Sequence, residues 1–497
     1  MVNTVVVEKP QLLSAEDRLS QSGLSAQVGL LIGKLSPTLD RGFIFDFIPT
    51  PQNDAGEAAC SVSKDDKKKP PSKSKSQPSD SISLVIDKDW IAEHARQVSR
   101  MLLGGIKVVG IYVWATDSAF KNSTIELCQT VNAAAKAVPI LEIDSDERLL
   151  VHIGYSPRRY TCRNCTITSN ITSSCLRPCD LKTGLVLKTL RTFKCTYNFS
   201  LRLPIRLVGA SNTQTFSDIL RQGISVHANE LRGAKAVVDG NFVSTSLSAI
   251  HSNFVVVVND EPCSTDGLHE VELLLPLLND TSAEACSQKD VVGLLILSGS
   301  VCSFAFLTPK EPISQAFSEI KGDIIMSLQS RLDVICDEVD EDLAPTASGG
   351  EEASNEKPVS KLILHSLRKT CGLSFPRRVF VPWLADTYIC DYLQPSETLE
   401  VLKEHCVELM SMEALSDSSS ILDVEVEAPS VISKSFWDVV VPFSSGGSSS
   451  SSASKGIETS KEKTEYPVKT ANFNIMAAVF FLLLSILVGF VLIAKKL

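Results

Sequence analysis

The 497-residue chain has no excess of positive charge: 48 Lys and Arg stand against 58 Asp and Glu, a net charge of −10. Phosphate binding leaves a basic footprint, so the balance argues against a nucleic-acid partner. Histidine is scarce. His94, His152, His227, His251, His269, His365 and His405 contain no pair at i,i+2 or i,i+4. Neither His-x-His nor His-Glu-x-x-His metal geometry is therefore available locally. A Gly-x-Ser-x-Gly nucleophile elbow is missing too. Gly29 to Leu35 falls one residue short of a phosphate loop and has Leu35 where a magnesium-binding Ser or Thr is needed. It reads as a strand instead. No repeat of 20–50 residues is visible. The first residues do not form a signal peptide, because Glu8, Lys9, Glu16 and Asp17 interrupt any apolar core. Fourteen cysteines are too dilute for a disulfide-built scaffold.

The chain does have an ordinary globular balance, 44% hydrophobic and 21% charged, over a length that suits two or three domains. Asn474 to Ala494 carries no charge, and fourteen of its 21 residues are Leu, Ile, Val or Phe. A helix of that length spans ~31 Å, close to the ~30 Å hydrocarbon core of a bilayer. With no upstream signal, residues 474–494 are expected to be a tail anchor that leaves the bulk of the chain in the cytosol. There the Asn-x-Ser/Thr triplets at Asn122, Asn164, Asn170, Asn198 and Asn279 stay unglycosylated. Residues 61–80 hold six Lys, six Ser, three Pro and three Asp, with Val62 as the only aliphatic residue, and cannot bury enough apolar surface to order themselves. Residues 337–358, with eight acidic residues, read as a second flexible insertion. A Ser/Gly-rich tether, 444–473, has an r.m.s. reach of roughly 30 Å.

Between these stretches the pattern predicts an α/β or α+β fold. Strands are expected at Val28–Gly33, Phe43–Ile48, Ile106–Trp114, Phe193–Leu203, Phe254–Val258, Val271–Leu275, Val291–Leu297 and Val301–Leu307. A helix with Asp89 as its cap places Trp90, Ile91, Ala95, Val98 and Leu102 on one face. Ile313 to Leu332 marks one face of a long helix. The expected domains are 1–160 with a disordered insertion at 52–82, 161–336 with a Cys-rich loop at 160–195, the acidic linker 337–358, and a C-terminal cytosolic region 359–443. In that loop Cys162, Cys165, Cys175 and Cys179 have a spacing that could close a tetrahedral zinc site. The alternative is four unrelated surface thiols. A cysteine protease whose Cys, His and Asp meet only in space is a second open alternative.

Several stretches resemble one family in order: Val28 to Lys34, the run Glu93-His94-Ala95-Arg96-Gln97-Val98-Ser99-Arg100, Tyr160 to Arg163, Ser298 to Phe304, Lys321 to Asp333, and Pro376 to Trp383. Together they resemble the odorant response abnormal protein 4 family over about residues 25–440 and the final apolar segment. The resemblance implies a non-enzymatic protein of the endoplasmic reticulum membrane. It implies an N-terminal region like a metal-free JAMM/MPN protease fold. It further implies recruitment of the protease specific for ubiquitin-fold modifier 1 and assistance to G-protein-coupled receptors. Cys165, Cys175 and Cys179 depart from the family pattern, so a zinc site would be peculiar to this chain. For an adaptor, Glu93, Arg96, Gln97 and Arg100 group on the helix face opposite the core. Arg96 and Arg100 are the first candidates for partner contact, followed by Arg377, Arg378 and Trp383.

Overall fold

Residues 27–49 set the pattern for the first half of the chain. Strand β1 (Thr4–Glu8) leads through helix α1 (Lys9–Gln21) into β2 (Gln27–Ser36) and β3 (Arg41–Pro49), an antiparallel pair that contains the expected strands Val28–Gly33 and Phe43–Ile48. The computed structural model describes residues 2–36, 39–64, 82–138, 146–168, 172, 175–206, 216–243, 267–276, 291–341, 372–394, 396–413, 425 and 429–435. The expected strand Phe254–Val258, the tether and the segment Asn474–Ala494 lie outside those residues. Among the described residues no helix is long and apolar enough to cross a membrane.

Strands β4 (Cys60–Lys64) and β5 (Ile82–Ile86) pair with each other, so both ends of the insertion read as disordered are built into a two-stranded ladder. Helix α2 (Lys88–Met101) follows, then β6 (Lys107–Trp114), α3 (Asp117–Asn122), α4 (Thr124–Ala137), β7 (Glu147–Tyr155), β8 (Arg158–Thr166) and β9 (Leu176–Gly184). The seven strands β1-β3-β2-β6-β7-β8-β9 close into a barrel, with β9 returning to pair in parallel with β1. The first structural layer therefore runs to Gly184, past the expected boundary at 160. The segment 160–195 is mostly strand, because β8 and β9 are needed to close the sheet. Val5, Val7, Leu31, Ile44, Phe47, Tyr112, Leu149 and Val151 pack one core with Leu12, Ala15 and Leu19 of α1.

The second half is organised around one very long pair. β10 (Arg191–Arg206) runs antiparallel to β14 (Val291–Leu307). Around them lie α5 (Phe216–Arg232), β11 (Lys235–Val238), β12 (Asn241–Val243) and β13 (Leu268–Leu274). Helix α6 (Ile313–Glu341) follows β14. Strand β15 (Gly372–Ser374) and, beyond the hairpin β16 (Arg377–Pro382) and β17 (Tyr388–Leu393) and helix α7 (Leu399–Met410), strand β18 (Ser430–Ser435) complete the sheet order β12-β11-β13-β10-β14-β18-β15. The two runs expected as separate strands, 291–297 and 301–307, are one strand. Its two faces serve different cores: Leu295, Leu297, Val301 and Ala305 pack with α5 and α6, while Phe304 and Phe306 join the core shared with α2 and the hairpin. A strand buried on both faces loses the polar alternation that marks a half-buried one.

Residues 359–443 are likewise not a separate region. β15 and β18 extend the second sheet, whereas β16, β17 and α7 pack with the first-half residues Ile91, Ala95 and Val98. Helix α6 also continues through Glu341, into the stretch expected to be linker. Residues 1–442 form one compact unit and 443–497 a second.

A buried charged cluster and a close backbone contact join the halves of the first unit. Lys34 on β2 donates to the Phe306 carbonyl at 2.8 Å and pairs with Glu319 at 2.7 Å and Glu311 at 3.3 Å. Beside it, Gly104 adopts φ +68°, and its carbonyl accepts from the Phe306 amide at 3.0 Å. A Cβ on Gly104 would lie 2.2 Å from the Phe306 ring, so only glycine allows this approach.

Candidate functional site

Helix α2 starts at Lys88 because Asp87, not the expected Asp89, caps it: the Asp87 carboxylate accepts from the Trp90 amide at 3.0 Å. Ile91, His94, Ala95, Val98 and Met101 are buried. They face α4, β6, β17 and α7, so the helix is wedged between two layers and does not lie on one sheet. His94 makes the wedge specific. Its ring contacts Thr50 Oγ1 at 3.3 Å and the Leu409 carbonyl at 2.9 Å. Burial lowers its pKa, which favours the neutral ring. Trp90 is half-buried and donates from Nε1 to the Pro51 carbonyl.

On the outer face, Glu93 accepts from Arg96 Nε at 2.9 Å and Nη2 at 2.7 Å, and from Gln97 at 2.8 Å. These contacts, led by the Arg96 hydrogen bond, hold its carboxyl below the ordinary range. The face is thus a pre-ordered group, with Arg96 held as a fork by Glu93 and Arg100 one turn further on. Arg96, Gln97 and Arg100 are all half-buried, with the polar side reaching solvent. The buried Cys390 thiol of β17 donates to the Arg100 carbonyl at 3.5 Å, which packs the end of the helix against the hairpin.

The other candidates divide. Arg377 is exposed at the start of β16, and Trp383 is half-buried in the turn that follows its end, where its amide donates to the Thr387 carbonyl. A six-residue strand separates them by roughly 20 Å. Arg378 is not on the surface. It is 1% exposed and forms a bidentate pair with Asp323 of α6, both bonds 2.8 Å. Arg331 pairs with Glu425 at 2.6 Å in the same centre, and Glu425 also accepts from the Cys302 and Arg378 amides. Neighbouring residues on a strand point to opposite faces, which is why Arg377 and Arg378 have opposite fates. Arg378 fixes the hairpin onto α6, so it is a structural residue and not the partner contact expected of it.

The structure does not bring the four cysteines together. Cys162 and Cys165 are three apart on β8 and therefore point to opposite sides of the barrel sheet. Cys162 belongs to the core packed with α1 and is directly opposite Cys179 on β9. Cys165 belongs to the core packed with α2 and α4, where its hydrogen-bond partner is Cys128. Cys175 sits beside Thr168 and Thr172. Among the described residues no group of three or more His, Cys, Asp or Glu side chains converges as a metal site. The thiols present do not fit a four-thiolate zinc centre; they form two pairs. Cys128 escaped sequence reading because no local spacing connects a helix residue to a strand 37 positions later.

Histidine–carboxylate pairs do occur: His405 with Asp391 at 2.8 Å, His227 with Glu230 at 3.0 Å and His269 with Asp239 at 2.8 Å. His227 also contacts the Tyr197 hydroxyl at 2.9 Å. Among the described residues no histidine nitrogen contacts a cysteine sulfur, the geometry a Cys/His nucleophile needs.

Comparison with known proteins adds to this. The family model described as odorant response abnormal 4-like matches residues 29–421. A mouse protein named "Protein odr-4 homolog" is 23% identical over 400 residues, covering 78% of this chain and 79% of the relative. The Dictyostelium discoideum protein of the same name is 26% identical over 397 residues, covering 79% and 76%. Among solved structures, one titled "Crystal structure of UfSP from C.elegans" aligns with 7% identity and a TM-score of 0.38, over 83% of this chain and 57% of that one.

Proposed function

The chain belongs to the odorant response abnormal 4-like family, and from that premise we propose that it is a non-enzymatic adaptor anchored in the endoplasmic reticulum membrane. The folded unit projects into the cytosol. The apolar segment Asn474–Ala494 anchors it, and the Ser/Gly-rich stretch keeps it close to the bilayer without pressing it down. Its cargo is the protease that processes ubiquitin-fold modifier 1, with assistance to G-protein-coupled receptors as the cellular outcome. On this reading the seven-stranded barrel with its flanking helices is a JAMM/MPN relative that keeps the fold without metal chemistry.

The observation that carries the proposal is the 21-residue uncharged segment in a chain whose family match covers residues 29–421. Anchor and body are separate parts, which suits a tether. The half-buried α2 face supports it further, because Arg96 is pre-ordered by Glu93 and loses little rotamer freedom on binding.

The test is a cleavage assay on a ubiquitin-fold modifier 1 precursor, with the purified chain alone and together with the protease, paired with affinity capture from membranes. The expected result is no cleavage by the chain alone and recovery of the protease on the captured chain. Cleavage by the chain alone would favour the membrane-anchored cysteine protease instead. Failure to recover the protease would remove the proposed cargo.

A further inference from the structure

The strongest unassigned feature is the pairing of thiols about β8. Cys162 and Cys179 are register partners on adjacent antiparallel strands, and both belong to the same core. Directly opposite residues in such a ladder hold their Cβ atoms about 4.5–5.5 Å apart. A disulfide needs about 3.5–4.5 Å, so the strands must draw together by roughly 1 Å to close one. The two thiols differ in access. Cys162 is buried, whereas Cys179 is half-buried on a strand whose neighbours Arg177, Pro178 and Asp180 are exposed. We propose that Cys162 and Cys179 are a reversible thiol–disulfide exchange site for low-molecular-weight disulfides of the glutathione class, with Cys179 as the attacking thiol and Cys162 as the resolving one.

The exchange balances. The Cys179 thiolate attacks one sulfur of glutathione disulfide, the S–S bond breaks, and one glutathione leaves as thiolate and takes up a proton. The Cys162 thiol then loses its proton to water and attacks the Cys179 sulfur of the mixed disulfide. The Cys162–Cys179 bond forms and the second glutathione departs. Two protein thiols are oxidised and one disulfide is reduced to two thiols.

Access assigns the order. Cys162 is buried, and the contact with Cys179 together with burial holds its thiol well above the ordinary range, whereas Cys179 is half-buried. The thiolate is the nucleophile, so the thiol that solvent and a disulfide can reach reacts first. The second pair on β8 is an internal comparison. Cys128 is 1% and Cys165 2% exposed, so a tripeptide disulfide cannot reach either. Drawing two register-paired strands together strains the bond formed, which makes it easily reduced again, as suits an exchange site.

The experiment equilibrates the purified full-length chain in detergent with glutathione buffers of rising oxidised fraction. It then quenches with acid, alkylates and maps each cysteine peptide by mass spectrometry. The expected result is a Cys162–Cys179 disulfide whose formation lowers alkylation at Cys179 at least tenfold and is reversed by dithiothreitol, with Cys128 and Cys165 still alkylated as thiols after unfolding. Cys162→Ser should trap a glutathione adduct on Cys179, and Cys179→Ser should leave Cys162 without one. Wild-type chain whose Cys162 and Cys179 stay reduced throughout, or links to other cysteines, would overturn the proposal. So would variants in which Cys162 and Cys179 take up glutathione equally.

Discussion

Adjacent arginines show how much of a site is decided at the scale of one residue. Arg377 and Arg378 are indistinguishable in composition, yet the strand alternation exposes one and buries the other against Asp323. Breaking a buried pair leaves an uncompensated charge, at a cost of about 3–5 kcal/mol. Arg378→Met is therefore expected to lower unfolding stability by that amount in a denaturant titration, with any loss of partner capture following from the loss of fold. The face of α2 should behave in the opposite way. Arg96→Glu with Arg100→Glu removes a half-exposed pair and is expected to cost less than about 1 kcal/mol of stability. On the adaptor reading it weakens protease capture tenfold or more, about 1.4 kcal/mol. Unchanged capture would return this face to the solvent. Asp46 on β3 supplies a pH test. Burial, only partly offset by the Phe47 amide and Arg18, pushes its carboxyl up to about 6, against about 4 in an unfolded chain. Between those values the native state holds more protons than the unfolded one, so this group makes stability fall as pH rises from about 4 to about 6. Asp46→Asn stays neutral. Relative to wild type it should gain nothing near pH 3.5 and reach a plateau above pH 6, on the order of 1–2 kcal/mol after allowance for its solvent-facing side. A constant difference across the range would contradict the assignment.

At the scale of elements, the sequence is most readable where one face is wet. The period-two run from Phe193 to Leu203 lies within β10, and the helical spacing from Ile313 to Leu332 lies within α6. It is least readable where an element is buried on two sides. β14 looked like two short strands because its apolar residues serve two cores, and α2 packs against α7, some 300 residues away in sequence, through His94 and Leu409. The cysteine spacing misled for a related reason. It suggested four ligands in a loop, but a strand turns residues three apart to opposite faces, and the Cys165 partner came from a helix. The contact between β14 and the Gly104 turn gives the element-scale prediction. Gly104→Ala forces a side chain onto a left-handed backbone and into the Phe306 ring, and is expected to cost about 2–4 kcal/mol. A melting point equal to wild type would show that the two halves do not meet as described.

On the whole-molecule scale, the expected domains at 160 and 359 dissolve into one compact unit through Pro442, because β9 closes onto β1 and the C-terminal strands return to the second sheet. Long-range strand pairing leaves no local mark, so no reading of composition could have placed those boundaries. The stretches set apart by composition, 444–473 and 474–494, lie beyond that unit, and on the adaptor reading proposed above they are its tether and its anchor. The most direct measurement of that account is flotation. The full chain, or a chain cut after 473, is incubated with liposomes of endoplasmic reticulum lipid composition and the ubiquitin-fold modifier 1 protease, and the gradient is fractionated. The protease is expected to float with the full chain and to stay at the bottom with the shortened one. Protease that remains at the bottom while the full chain floats would contradict it.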